Sequence, residues 1–143
     1  MQTASQLLKQ KALHSVLAVA PHATVFQALQ VLADNNIGAV LVMDEGKLVG
    51  IFSERDYARK VVLVGKTSAV TPVAEIMTSR VLCVPPTATA SECMAVMSEK
   101  RIRHLPVMDG DKVLGVLSIG DLVHAKIAEQ EFTIQQLEQY IYR

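Results

Sequence analysis

The chain contains the same stretch of sequence twice. When residues 16–57 are placed on residues 81–122, a shift of 65 positions without a gap, fifteen of the 42 aligned pairs are identical. Ordinary composition would give about three identities by chance. The sequence therefore predicts two copies of one small folding unit, in which each feature of one copy has an equivalent in the other.

Each copy has the same order of predicted elements. The runs VLAV (16–19) and VLCV (81–84) predict short strands that end at a proline segment. Thr24 with Gln27, and Thr89 with Glu92, predict capping boxes that begin helices. Two further apolar runs, separated by turns rich in Asp and Gly, predict a hairpin whose last strand leads into a second helix. The predicted fold class is α/β, of the α+β type, built from two βαββα repeats.

A unit of this size has a thin core and leaves one apolar face exposed. Half of the residues are hydrophobic, so we expect the two copies to cover that face against each other about a pseudo-twofold axis. The predicted division is an N-terminal helix and lead-in (1–15), repeat 1 (16–61), a linker (62–80), repeat 2 (81–126) and a C-terminal helix (127–143). The terminal helices are expected near residues 3–12 and from about 119 to 141.

Charge and composition narrow the class of function. Fourteen basic residues balance fourteen acidic ones, which argues against a general binder of nucleic acid or anionic membrane. The sequence has no apolar run of spanning length and no signal-peptide layout, so we expect a soluble, cytoplasmic protein. Cys83 and Cys93 are interpreted as reduced, packed thiols. The four histidines are scattered, and no metal site is predicted.

One motif closes each repeat, as GIFSERD at 50–56 and GVLSIGD at 115–121. A serine at a helix start can cap the helix and donate to a phosphate or ribose oxygen. An aspartate three residues later can accept from the two neighbouring hydroxyls of a ribose. Ser-x-x-Asp is also a common capping arrangement, so a purely structural role stays open.

These features resemble a tandem pair of CBS (cystathionine-β-synthase) domains, the Bateman module, as found in small stand-alone bacterial proteins. The family pattern is matched by Gly50, Ser53 and Asp56, and again by the second copy of the motif. The segments RHLPVMD (103–109) and EIMTSRVLCV (75–84) also match, and the resemblance covers roughly residues 10–125.

The resemblance implies a regulatory protein that binds an adenosyl ligand in two clefts, each formed by the motif of one repeat and the strands of the other. AMP or NAD is the expected ligand, with ATP, ADP and S-adenosylmethionine as alternatives, and no catalytic cofactor is expected. The ligand would change the relative arrangement of the repeats, and an unknown effector protein would respond to it. The resemblance also implies a homodimer of modules and no catalytic residues.

The site residues are transferred from the family position by position. The first cleft would combine Ser53, Arg55, Asp56, Thr78, Arg80, Val81, Ile102, Arg103, His104 and Pro106. The second would combine Ser118 and Asp121 with His14, Ser15, Val16, Ile37, Gly38 and Ala39.

Positive charge distinguishes the two expected clefts. Arg55, Arg80, Arg103 and His104 are four potential cations for one phosphate group, whereas Gly120 replaces the first arginine in the second cleft. The Asp56 cleft is therefore expected to be the main anion-binding site. Arg55 has an alternative interpretation as a solvated residue that pairs with a neighbouring carboxylate.

Two other functions stay open. One is a non-catalytic protein-interaction module without a physiological nucleotide. The other is a nucleotide hydrolase, which the sequence disfavours because it offers neither a metal-ligand set nor an evident general base.

Overall fold

The computed structural model describes residues 2–11 and 16–141. The chain separates into two compact units. The first unit is residues 16–82, and the second is residues 83–143 together with the N-terminal segment. Each unit has its own hydrophobic core.

The helices and strands follow the predicted order. They are α1 (Ala4–Lys9), β1 (Ala18–Val19), α2 (Val25–Asn35), β2 (Ala39–Asp44), β3 (Lys47–Ser53), α3 (Glu54–Tyr57) continued by a π-helical turn (Ala58–Val62), a 3-10 turn (Val73–Glu75), α4 (Ala90–Lys100), β4 (His104–Asp109), β5 (Lys112–Ser118) and α5 (Ile119–Ile141).

A three-stranded sheet forms the centre of the first unit. Strand β1 runs parallel to β2, and β2 pairs antiparallel with β3 as the predicted hairpin. The turn between them has positive φ at Glu45 and Gly46, 49° and 80°, as a two-residue turn with the twist of a hairpin requires. Helix α2 begins at the predicted capping box, where Thr24 and Gln27 bond reciprocally. The fold class predicted from the sequence is confirmed.

The second unit repeats this hairpin but reduces the strand that should precede it. His104 lies opposite Ser118, just as Ala39 lies opposite Ser53. The predicted strand over 81–84 is wrong in extent: among the described elements no strand covers it, and Val84 forms one parallel bridge with Val107. Two prolines follow at once, and a proline has no N–H with which to continue a ladder.

The short segment that precedes each repeat in the chain completes the unit of the other repeat, and it does so in the same way in both units. Ala4 N donates to Ala88 O at 2.7 Å, and Val73 N donates to Ala23 O at 2.7 Å. Since residues 23 and 88 are equivalent in the repeat, residue 73 takes the place of residue 4, a shift of 69 (73 − 4). The backbone repeat therefore includes residues 3–11 and 72–80, where the two sequences share no identity.

Helix α5 is one continuous helix from Ile119 to Ile141, as predicted. Its start packs in the core through Leu122, whereas every described side chain from Ile127 to Gln139 is exposed. In the described part of the chain, no helix is both long and apolar enough to cross a membrane.

Candidate functional site

The two Ser-x-x-Asp motifs form nearly identical strand-to-helix junctions. Ser53 ends β3, and its amide donates to Asp56 Oδ2 at 3.0 Å while its Oγ accepts from Asp56 N at 3.2 Å. Ser118 ends β5, and its bonds with Asp121 are 2.7 and 3.2 Å. Each aspartate thus sits in the first turn of a helix, as predicted, with one carboxylate oxygen directed to the serine amide. This bonding stabilises the helix start, so the capping role is present in both copies.

The glycine of each motif allows the preceding segment to pack on the strand. A Cβ on Gly50 would overlap with Met77 Sδ, and a Cβ on Gly115 would lie 2.8 Å from Leu8 Cδ2. By the 69-residue shift, these two covering side chains are equivalent. The glycine is therefore required by packing whether or not a ligand binds nearby.

A lysine neutralises each aspartate, and sequence reasoning missed both. Lys60 Nζ lies 3.1 Å from Asp56 Oδ1 and donates to Ile76 O at 3.1 Å. Lys11 Nζ lies 2.9 Å from Asp121 Oδ2 and donates to Val116 O at 2.7 Å. The i,i+4 spacing of Asp56 and Lys60 on a predicted helix indicates an ion pair and could have been used to predict this one. No sequence signal connects Lys11 with a residue 110 positions away.

The charges around Asp121 shift two ionisation equilibria in the second unit. Burial alone would raise the pKa of Asp121, but the Ser118 amide and the Lys11 ammonium outweigh it, so the pKa lies below its ordinary value. The pKa of His104 is lowered, first by burial and then by Lys11 and Arg103, against an opposing effect of Asp121. Neutral imidazole is therefore favoured, which weakens the expectation that His104 supplies a positive charge.

Within the first unit, the structure brings several of the predicted residues to one end of the hairpin. The Glu54 amide donates to Gly38 O at 3.1 Å, which holds β2 against the start of α3. Thr78 pairs with Ile51 through two backbone bonds of 3.0 and 2.9 Å. The exposed members are Val16, Arg55, Thr78 and Arg80, and the partly or fully buried ones are Ile37, Gly38, Ala39, Ser53, Asp56 and Val81.

Within the second unit, the predicted residues surround Ser118. Ile119 N donates to Arg103 O at 2.9 Å, the equivalent of the bond from Glu54 to Gly38. Arg103 is exposed and His104 partly buried, whereas Pro106 is buried and its carbonyl accepts from Val84 N at 3.0 Å. Ile102 is partly buried and packs against the core. His14 and Ser15 lie outside the described residues, and the combination of residues from both units in each cleft stays a prediction.

The two carboxylates differ in the acceptor capacity they retain. A carboxylate offers about four lone-pair sites on its two oxygens. At Asp121 the amide of Ser118 and the ammonium of Lys11 both end on Oδ2. At Asp56 the serine uses Oδ2 and Lys60 is on Oδ1. A diol that approached Oδ1 would therefore compete with a cation at Asp56 but not at Asp121.

The thiols differ from the sequence interpretation in one respect. Among the described residues neither cysteine is in a disulfide, and Cys93 is buried as expected, but Cys83 is exposed and is not a packed thiol. Burial, and then the charge of Glu92, raise the pKa of the Cys93 thiol. Among residues 2–11 and 16–141, no group of three or more His, Cys, Asp or Glu side chains is arranged to hold a metal ion.

Comparisons with known proteins agree with this geometry. The sequence profile of the CBS domain matches residues 9–63 and 73–128. The chain therefore belongs to the CBS-domain family, and its fold is that of a CBS-domain pair, the Bateman module. CBS-domain pairs are regulatory modules of signal transduction and are generally non-catalytic.

Several individual relatives are similar over most of the chain. A solved protein with CBS domains from Burkholderia ambifaria MC40-6 is 47% identical, with a TM-score of 0.87 over 90% of this chain and 96% of that one. The CBS domain-containing protein YhcV of Bacillus subtilis is 30% identical over 75% of this chain and 76% of its own. The mitochondrial protein CBSX3 of Arabidopsis thaliana is 37% identical over 82% of this chain, which spans 60% of its length.

Proposed function

We propose that the protein is a regulatory module that binds an adenine nucleotide, AMP or NAD before ATP, ADP or S-adenosylmethionine. The observation that carries the proposal is the recurrence of the complete Ser-x-x-Asp junction in both units. A single such junction is sufficiently explained as a helix cap. Two junctions that each hold a partly buried aspartate with unused acceptor capacity at a helix start are suited to paired hydroxyls.

The class of ligand is supported by a structural neighbour. The CBS domain pair of protein MJ0100 was solved in complex with 5′-methylthioadenosine and S-adenosyl-L-methionine, and its TM-score with this chain is 0.78 at 24% identity. Both of those ligands carry adenosine, whose ribose offers the vicinal diol. A ligand with a phosphate group is preferred over one with a positively charged sulfonium, because three of the proposed site residues carry positive charge. These residues are Arg55, Arg80 and Arg103.

Calorimetric titration of the purified protein with AMP, 2′-deoxy-AMP and NAD tests the proposal. Asp56→Ala should weaken AMP binding by about 1.5–3 kcal/mol, the range for a hydrogen bond to a charged group. The 2′-deoxy analogue should bind the native protein more weakly than AMP and should lose little more in the variant. Asp121→Ala is the matched control, and it should reduce the number of sites or affect AMP less, since Asp56 is proposed as the main anion site.

Equal binding of AMP and its 2′-deoxy analogue by the native protein would refute the role of the diol. A lack of nucleotide binding would favour the interaction module as the function. The proposal includes no catalysis, and turnover of AMP, ATP or NAD would contradict that part of it.

The proposed output is a ligand-dependent conformation that a separate effector protein recognises. We also propose that two modules form a homodimer. Some CBS-domain relatives assemble further, as in the hexameric CBS-CP12 protein of bloom-forming cyanobacteria. The cytoplasmic location stays a prediction, which cell fractionation would test.

A further inference from the structure

The second half of α5 carries an apolar stripe with no partner in the described chain. Every described side chain from Ile127 to Gln139 is exposed, and Ile127, Ile134, Leu137 and Ile141 are 47–68% exposed. At 100° per residue, these four side chains lie within about 80° of helix surface. A stripe this narrow is typical of a coiled-coil seam, because a helix that packs on a globular core has a wider apolar face.

The spacing of the stripe is a heptad repeat. With Ile127, Ile134 and Ile141 at the a positions, Gln130 and Leu137 occupy the d positions. β-Branched residues at a with leucine at d favour two parallel strands over three or four. We propose that this seam, residues 127, 130, 134, 137 and 141, pairs in parallel with the same seam of a second copy of this chain.

The charged residues beside the seam favour the parallel orientation. Lys126 is at a g position, while Glu131 and Glu138 are at e positions. In a parallel pair, Lys126 of each copy lies beside Glu131 of the other, which gives two attractive contacts by symmetry. In an antiparallel pair, the e positions face each other, and the glutamates repel. Among the described residues of its own chain, Lys126 makes an ion pair of 3.9 Å with Glu129, in which both side chains are partly exposed.

The polar residue in the seam points to the same orientation. In a parallel pair, Gln130 faces Gln130 of the second copy, and the two amides can donate to and accept from each other. In an antiparallel pair, a d position lies opposite an a position, so this amide would face Ile134 or Ile141, depending on the register, and would lose its partners. A single polar core position is known to fix the register of a coiled coil at some cost in stability.

The first test is the mass of the full chain in solution, by light scattering and by sedimentation at several concentrations. The native protein should have the mass of a dimer or of an assembly of dimers. Ile134→Asp should raise the dissociation constant of the pair about tenfold or more, because the carboxylate would be buried without a partner. Leu137→Asp should act alike. Phe132→Glu is the matched control: this side chain is 62% exposed on the other side of α5, and its replacement should leave the assembly unchanged.

A cross-linking experiment tests the orientation. In a Cys83→Ser background, Gln130→Cys should form an intermolecular disulfide on mild oxidation, since d positions face each other in a parallel pair. A mixture of Ile127→Cys and Ile141→Cys chains should form no disulfide between the two variants, because positions 127 and 141 lie at opposite ends of a parallel seam.

Three results would overturn the proposal. The first is a monomer at all concentrations, as expected if the stripe binds a different protein. The second is an assembly whose mass does not respond to Ile134→Asp or Leu137→Asp, and the third is a mixed disulfide between positions 127 and 141. If the protein is a dimer whose mass is unchanged by these variants, the proposed homodimer is supported and only the seam is rejected. None of these results depends on nucleotide binding.

Discussion

The two units contain the same junction but neutralise its aspartate by different routes. In the first unit, Lys60 lies one helical turn after Asp56. In the second, the equivalent position is Ala125, and Lys11 comes from the N-terminal segment to pair with Asp121. Position 11 is in turn equivalent to Arg80 by the 69-residue shift. The comparison shows that a charge in a small repeat can be balanced locally or by a distant segment, at nearly the same distance.

The difference has a consequence for folding and binding. Loss of the Lys60 contact would affect the first turns of α3 and would also remove the bond from Lys60 Nζ to Ile76 O, in the segment that covers Gly50 with Met77. Loss of the Lys11 contact would also weaken the attachment of the N-terminal segment, which covers Gly115 with Leu8. Both lysines therefore connect an aspartate with a covering segment, but Lys11 itself belongs to that segment whereas Lys60 belongs to the helix that carries Asp56.

The largest expected difference between the units concerns the motif glycines. Gly50→Ala should lower the free energy of unfolding by about 1–3 kcal/mol, the range for overpacking, because the new methyl would meet the middle of the Met77 side chain. Gly115→Ala should cost less, because Leu8 meets it with a terminal methyl that can move. Urea denaturation followed by circular dichroism measures both.

The double variant Gly50→Ala with Met77→Ala provides the control. If the lower free energy of unfolding of Gly50→Ala comes from this one contact, the double variant should recover part of it, because the contacting side chain is shorter. Equal losses for the two glycine variants would show that the covering segments are equally rigid, against the comparison above.

The lysines should differ by a smaller amount. Lys11→Ala should cost about 1 kcal/mol, since it removes a bond to a backbone carbonyl as well as a half-buried ion pair. Lys60→Ala should cost less, about 0.5 kcal/mol, because it also loses a bond to a backbone carbonyl but its ammonium is more exposed than that of Lys11. Lys9→Ala, an exposed change at the end of α1, serves as the control for any loss of a lysine. A cost for Lys60→Ala as large as that for Lys11→Ala would contradict the distinction between local and distant neutralisation.

The smallest expected effect is a pH dependence confined to the second unit. Because the pKa of His104 is lowered in the folded state, the unfolded chain binds its proton more readily. Stability should therefore fall as the pH drops below about 6.5, and the loss should be complete below the folded pKa. The equivalent position in the first unit is Ala39, which has no titratable group and contributes no such pH dependence.

His104→Gln should remove this part of the pH dependence, measured as the urea midpoint between pH 8 and pH 5. The difference in urea midpoint between the native protein and the variant at pH 8, where the native imidazole is neutral, is the baseline. An unchanged slope in the variant would contradict the assignment. Asp121 has a lowered pKa, so its own contribution is lost only below its ordinary value of 3.8 and does not overlap this range.

Local sequence rules predicted the elements well where the signals were local. The reciprocal cap of Thr24 and Gln27 and the left-handed hairpin turn at Glu45 and Gly46 depend on residues next to each other in the chain. The strand predicted at 81–84 is reduced to one bridge at Val84, and the two prolines that follow end the pairing there, as the sequence indicated. In the second copy, Thr89 caps α4, but its hydroxyl, not its amide, reaches the Glu92 side chain.

The candidate site was predicted in part. The positions of both serines and both aspartates followed from the motif, as did their place at a helix start. The assignment of Arg55, Arg80, Arg103 and His104 to a ligand phosphate stays a prediction, whereas the ion pairs of the two aspartates with Lys60 and Lys11 were not predicted. Burial also holds His104 toward its neutral form, an effect that depends on neighbours that the sequence does not reveal.

By itself, the sequence determined the repeat, the order of the elements and the serine–aspartate pair at each helix start, because a cap and a hairpin involve residues within a few positions of one another. Only the tertiary structure decided that residues 3–11 and 72–80 are equivalent and that Lys11 reaches Asp121. Those facts depend on backbone pairing and on burial between distant segments, which preserve geometry without preserving residue identity.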